Sequence, residues 1–205
     1  MKKLLLLLCV LPLLAATGHA QDEGARQDIN LSFMGLIQPY VSETATPYVK
    51  QKSTLGLGLY VGYRYLLTPN QAAEANYSYG RFTNKFTTSF GGRNARIHAS
   101  MQEATFAYVR TFPFKRFNPF LEGGGGIVFI SPIPTGTTSL DTELTHQLTF
   151  LFGGGIAYEL SPSWDLRVQY RGQVFKTPDF GLSSQFPLSR RYIVSEPAIG
   201  FAYHF

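Results

Sequence analysis

Five acids and three bases in this 205-residue chain recur at positions that alternate with apolar or small residues: Arg64, Glu74, Glu103, Glu122, Glu159, Arg167, Arg171 and Glu196. Carboxylates and guanidinium groups enclosed together do one of two things. They pair, or they line a path for ions or protons. A buried charge stripped of its partner costs about 3–5 kcal/mol, so pairing is the requirement in any closed space. A second set could do hydrolysis. His98 and His146, with Ser100, Asp141 and Glu143 nearby in sequence, are the residue types of a nucleophile, base and orienter. Their spacing fixes no such arrangement. A third set, Lys85, Arg93, Arg96, Lys176, Arg190 and Arg191, gathers in two segments and has the chemistry to grip phosphate groups. The run Gly123–Gly126 lacks the Gly-Lys-Ser/Thr of a phosphate loop and falls inside an alternating segment. Bending or close packing explains it better.

The elements that must position these residues are strands. In 164–175, Asp165, Arg167, Gln169, Arg171 and Gln173 share one parity, and Leu166, Val168, Tyr170 and Val174 share the other. A period of two sorts side chains onto the two faces of a strand, whereas a helix would scatter them. The same sorting predicts strands at 29–38, 54–65, 71–82, 98–110, 119–130, 147–159 and 192–205, eight in all. Gln102 is the exception that falls on an apolar parity.

Short links with turn residues, Leu67-Thr68-Pro69-Asn70 and Ser161-Pro162-Ser163, and a longer one at 111–118, alternate with long segments at 39–52, 83–97, 131–146 and 176–191. At the front, Met1-Lys2-Lys3, the apolar run Leu4–Leu14 and Gly18-His19-Ala20 make a secretory signal peptide over residues 1–20. The run is too short to span a membrane as a helix. Cys9 follows Leu8 and lies too early for lipidation. Residues 21–28 then form an N-terminal lead-in to a single domain at 29–205.

Composition excludes several classes. The signal carries two of the 18 basic residues, so the remainder holds 16 against 13 acidic, too small an excess to argue for nucleic acid. Cys9 is the only cysteine, so the exported chain forms no disulfide. Charged residues are 15% of the chain against a usual figure of about 25%, and aromatics are 15%. Strands with one face in lipid and the other lining a polar interior reconcile these values. A soluble lipocalin-like barrel would reverse the faces.

The C-terminus carries a more specific signal. Ile199, Phe201, Tyr203 and Phe205 alternate with Ala198, Gly200, Ala202 and His204, and the chain stops on an aromatic. In this the chain resembles the small eight-stranded outer-membrane barrels: the OmpA membrane domain, OmpX and the opacity-type surface proteins. Gly200, Tyr203 and Phe205 match the glycine and both aromatics of that family's C-terminal insertion signal, and Ala198 departs from its polar position. The resemblance implies an all-β, eight-stranded antiparallel up-and-down transmembrane β-barrel. It also implies location in the bacterial cell outer membrane, insertion by the barrel-assembly machinery, short periplasmic turns and long extracellular loops.

Within that architecture the eight charges face the lumen. An eight-stranded barrel is just wide enough to be filled by its own side chains. Three ion pairs are expected: Arg64–Glu74 across the turn at Pro69, Glu159–Arg167 opposite or diagonal across Ser161-Pro162-Ser163, and Arg171–Glu196 on adjacent strands. Tyr63, Tyr65, Tyr108, Tyr158, Trp164, Tyr203 and Phe205 form an interfacial girdle at the turn end. The six outer bases are candidate contacts to lipopolysaccharide phosphates. The expected protein is a monomer without cofactor, metal or nucleic-acid partner. Its expected role is structural or adhesin-like, through its loops. A narrow pore is the alternative, and a lipid A-modifying enzyme the second alternative.

Overall fold

The computed structural model describes residues 26–39, 41–43, 49–88, 94–133, 144–176 and 191–205, with backbone alone at 41–43, 49–53, 84–88 and 94–97. The expected signal peptide, most of the lead-in, and Arg93, Asp141, Glu143 and Arg190 lie outside these residues. The strands are β1 (Gln27–Leu36), β2 (Val41–Glu43), β3 (Val49–Ser53), β4 (Gly56–Thr68), β5 (Gln71–Thr88), β6 (Asn94–Thr111), β7 (Phe117–Ile133), β8 (Thr145–Ser161), β9 (Trp164–Lys176) and β10 (Arg191–His204).

Eight of them close a barrel. Each pairs antiparallel with its neighbour in chain order, β1 pairs with both β4 and β10, and β5 pairs with β6, so no long edge is left. β2 and β3 form a small hairpin whose second strand, β3, lies on β5 beyond the end of β4. The eight long strands are those the alternation predicts. Three segments expected as loops, 39–52, 83–97 and 131–146, hold strand instead over part of their length. β5 and β6 stay paired as far as Thr87 and Asn94. Backbone pairing continues beyond the apolar band, where alternation is no longer required and the sequence signal fades. β1 also begins at Gln27, so Gln27 and Asp28 belong to the barrel rather than to the lead-in.

The faces are inverted relative to a soluble barrel. Phe33 is 73% exposed, Leu57 73% and Leu148 81%, while Arg64, Glu74, Arg167, Arg171 and Glu196 are buried. That arrangement excludes a lipocalin-like barrel and suits lipid outside. Two pairs of outward-facing polar groups satisfy each other, as a hydrocarbon surrounding favours. Tyr170 and Ser195 share a hydrogen bond of 2.8 Å, and the Tyr77 hydroxyl donates to Gln102 at 3.0 Å. The second bond accounts for Gln102 on an apolar parity.

At the turn end, Trp164 packs against Tyr203 with ring centroids 5.1 Å apart, and Tyr203 stacks on Phe205 at 6.1 Å. Phe117 and Tyr158 meet at 4.9 Å. These contacts bring Tyr158, Trp164, Tyr203 and Phe205 of the expected belt together at the turn end, with Phe117 added to them. The turn between β6 and β7 is tighter than 111–118 suggests: Phe114 and Phe117 exchange two backbone hydrogen bonds of 3.0 Å. Lys115 sits in the left-handed region at φ 57°.

Candidate functional site: the charged lumen and the outer rim

The lumen is built in layers. Toward the loop end, Met34, Leu36, Phe82, Ala99, Met101, Val128, Ile130, Phe175, Tyr192, Val194 and Ala198 form one apolar cluster, joined by Tyr60 from below. Toward the turn end, Ala72, Val109, Phe120 and Ala157 form a second, with Leu66 against it. Between them lies a charged layer, the Arg64 and Arg171 centres, while Asp28, Asp165, Arg167 and His204 share the turn-end level with the second cluster. The alternation in the sequence does not reveal the apolar ends. Val174 and Phe175, or Ile193 and Val194, are apolar on both parities, and such pairs carry no inside–outside signal.

Two ion-pair centres occupy the layer. Arg64 and Glu74 are directly opposite on β4 and β5, and Arg64 Nε donates to Glu74 Oε2 at 2.5 Å. The Tyr60 hydroxyl donates to the other Glu74 oxygen, and the Asn76 amide nitrogen lies 2.8 Å from that same oxygen. Arg64 also stacks on Phe120, 4.9 Å from its ring centroid. Glu74 is thus held by three donors, although it is wholly buried.

The second centre is Arg171. It lies opposite Glu196 in the β9–β10 register, with NH1 3.4 Å from Glu196 Oε2. Glu103 stands 3.5 Å from NH2 and Glu122 3.9 Å from Nε. The guanidinium also caps the Tyr60 ring at 4.5 Å, which links the two centres. Gln173 donates to both Glu103 and Glu196. Three carboxyl groups therefore share one guanidinium, with a glutamine bridging two of them.

The expected Glu159–Arg167 pair does not form. Arg167 faces Ala157 and Glu159 faces Asp165, so the two are diagonal, as the expectation allowed, yet no ion pair joins them. Arg167 instead reaches Asp28 on β1, with NH2 2.8 Å from Oδ2. Glu159 is only half-buried. Asp28 and Asp165 are lumen residues that the sequence reading left out of the network. His204 Nε2 stands 2.8 Å from Asp165 Oδ2, and its Nδ1 stands 4.0 Å from Asp28. Asp165 shares the parity of Arg167, which was sufficient to find it. Asp28 lay outside the strand as drawn from the sequence.

Glycine makes this packing fit at two kinds of place. A Cβ on Gly124 would run into the Phe106 carbonyl and come within 2.7 Å of the Ala107 Cα, so β6 and β7 approach closely on the lumen side. A Cβ on Gly200 would overlap the Leu31 carbonyl and the Ser32 side chain on β1. The glycine of the expected insertion signal is thus also required where the last strand closes on the first. Ala198, at the position where the signal departs from its pattern, faces the lumen opposite Met34.

At the rim, Lys176 and Arg191 are exposed and directly opposite each other. Lys85 and Arg96 are also register partners. The hydrolytic set is not assembled among the described residues. His98 Nδ1 is 2.9 Å from the Thr83 hydroxyl, and the Ser100 hydroxyl donates to the Ser131 carbonyl at 3.4 Å. His146 stands opposite Phe129. Among the described residues, no group of three His, Cys, Asp or Glu side chains is arranged to hold a metal.

Comparisons agree with this geometry. OprG from Pseudomonas aeruginosa is similar over 89% of this chain and 97% of its own, with TM-score 0.62 and 11% identity. Neisserial surface protein A is similar over 89% of this chain and 100% of its own, with TM-score 0.55 and 14% identity. At such identities the likeness is one of fold. Among curated proteins, none matches the chain by sequence. The family model described as "Outer membrane protein beta-barrel domain" matches residues 6–205, and the chain belongs to that family.

Proposed function

We propose that this protein is a non-conducting, non-catalytic barrel of the bacterial cell outer membrane, exported through a cleaved signal peptide. Its role is structural or surface interaction through the loops at its open end. The observation that carries this reading is the layered lumen, in which the charged groups are closed off on the loop side by an apolar cluster. An apolar constriction blocks ions by excluding water, however polar the chamber behind it. The ion pairs then act as internal struts that hold the wall rigid, and the rigid wall presents the loops.

One observation favours a narrow pore as the second reading. Both Glu122 oxygens and two Arg171 nitrogens are buried without a hydrogen-bond partner. Water is the natural partner for such atoms. A pore requires that water also cross the loop-side apolar cluster.

The test is made in a Gram-negative host. An epitope inserted between Pro134 and Glu143 is expected to be labelled on intact cells. Overexpression is expected to leave uptake of a small hydrophilic β-lactam unchanged. Labelling only after permeabilisation, or uptake rising with expression, would contradict the reading.

A further inference from the structure

β8 runs further toward the loop end than β9 does. Their pairing stops at Phe150 and Val174, yet β8 continues to Thr145 while staying paired to β7. A cleft of about 600 Å³ opens where the pairing stops, lined by Gln147, Leu148, Phe150, Val174, Lys176 and Arg191 among others. That volume lies in the roughly 300–1,000 Å³ range of small-molecule sites.

Two features of the cleft define an occupant. The first is charge. Lys176 and Arg191 are directly opposite in the β9–β10 register, and like charges so placed repel. Neither has an ion-pair partner among the described residues. An anion between them would turn the repulsion into two charge-assisted contacts. The second is height. Trp164 lies at the foot of β9, and Lys176 is the last residue of that 13-residue strand. At ~3.3 Å per residue and a tilt of ~40°, that is about 30 Å, just beyond an apolar band of about 25 Å. Between those levels the outward residues Leu166, Val168, Tyr170 and Val174 of β9, and Ile193, Pro197, Ile199 and Phe201 of β10, carry no charge. The two cations are the first charges met on this face at headgroup level. Below and beside them, exposed Leu148 and Phe150 offer an apolar wall.

We infer that this cleft binds a phosphate-bearing lipid of the outer leaflet, its phosphate between Lys176 and Arg191 and an acyl chain along Leu148, Phe150 and Val174. The inference rests on the outer-membrane placement proposed above. It narrows the six basic candidates to one defined pair. The geometry calls for both halves of the ligand: an anion alone would leave the apolar wall bare, and a neutral lipid would leave the cations facing each other.

The test uses the refolded full barrel in detergent, with bis-phosphorylated lipid A as the probe and native mass spectrometry as the readout. The K176Q/R191Q variant is expected to bind at least tenfold more weakly. Dephosphorylated lipid A should show a similar loss on the unaltered protein. K176R, which keeps the charge, should bind within about threefold of the unaltered chain. Inorganic phosphate at millimolar concentration should leave the lipid in place. Equal binding by the glutamine variant, equal binding of the dephosphorylated lipid, or displacement by phosphate alone would each overturn the inference. Heat-modifiable mobility on a gel, measured in parallel, separates the two readings. A chain that never folds in detergent contradicts the outer-membrane placement, while a folded barrel with unaltered binding contradicts only the lipid site.

Discussion

Glu74 is the residue on which the charged layer depends most simply, because it receives Arg64, Tyr60 and Asn76 at once. Glu74→Ala removes one partner of a buried pair and is expected to cost about 3–5 kcal/mol, whereas Tyr60→Phe removes one hydrogen bond and should cost about 1 kcal/mol. Urea unfolding of the barrel in phospholipid vesicles would measure both. Arg171 makes a sharper case, since three carboxyl groups converge on it. Arg171→Met should destabilise at least as much as Glu74→Ala. Adding Glu103→Gln, Glu122→Gln and Glu196→Gln should recover most of the loss, because the stranded charges are then gone. No recovery would mean that the guanidinium acts through its packing on Tyr60 rather than through charge. The sequence made Arg64–Glu74 and Arg171–Glu196 legible because each pair spans two strands joined in chain order, and parity places both partners inside. Arg167–Asp28 was not legible. It spans from β9 to β1, strands that the sequence does not join, whereas Glu159 lay diagonal to Arg167 on the adjoining strand and looked the nearer partner.

The elements follow from alternation where lipid or lumen enforces it and escape it elsewhere. β5 and β6 each reach 18 residues, well past the predicted ends at 82 and 98, because pairing alone holds them together outside the band. Turn chemistry is visible at the same scale. Lys115 holds a left-handed conformation that a residue with a Cβ adopts at a cost of roughly 1–2 kcal/mol. Lys115→Gly should therefore raise stability by about 0.5–1 kcal/mol, read as a higher unfolding midpoint in the same vesicles. The opposite substitution tests the seam. Gly200→Ala puts a methyl group against Leu31 and Ser32 on β1 and should cost about 1–3 kcal/mol and slow closure. The heat-modifiable gel shift during refolding would show this as a lag. A lag-free variant of normal stability would mean that the C-terminal glycine serves recognition by the insertion machinery and not the seam itself.

At the scale of the whole molecule, sorted faces made the barrel readable: residues 29, 31 and 33 outside, and 64, 74 and 171 inside. The closure of the lumen at the loop end was not readable, because its apolar cluster is assembled a few residues at a time from β1, β4, β5, β6, β7, β9 and β10. Phe175 and Tyr192, register partners with rings 5.1 Å apart, belong to the loop-end cluster; parity with Arg171 and Glu196 marks them as inward-facing, but nothing in the local sequence shows that they meet and close the lumen. The charges suggest a channel, and the apolar cluster on their loop side suggests a seal. Steady, silent current from single refolded barrels in a planar bilayer, across ±100 mV in molar salt, is the result this account predicts. Discrete, ohmic steps that recur with each inserted barrel would contradict it.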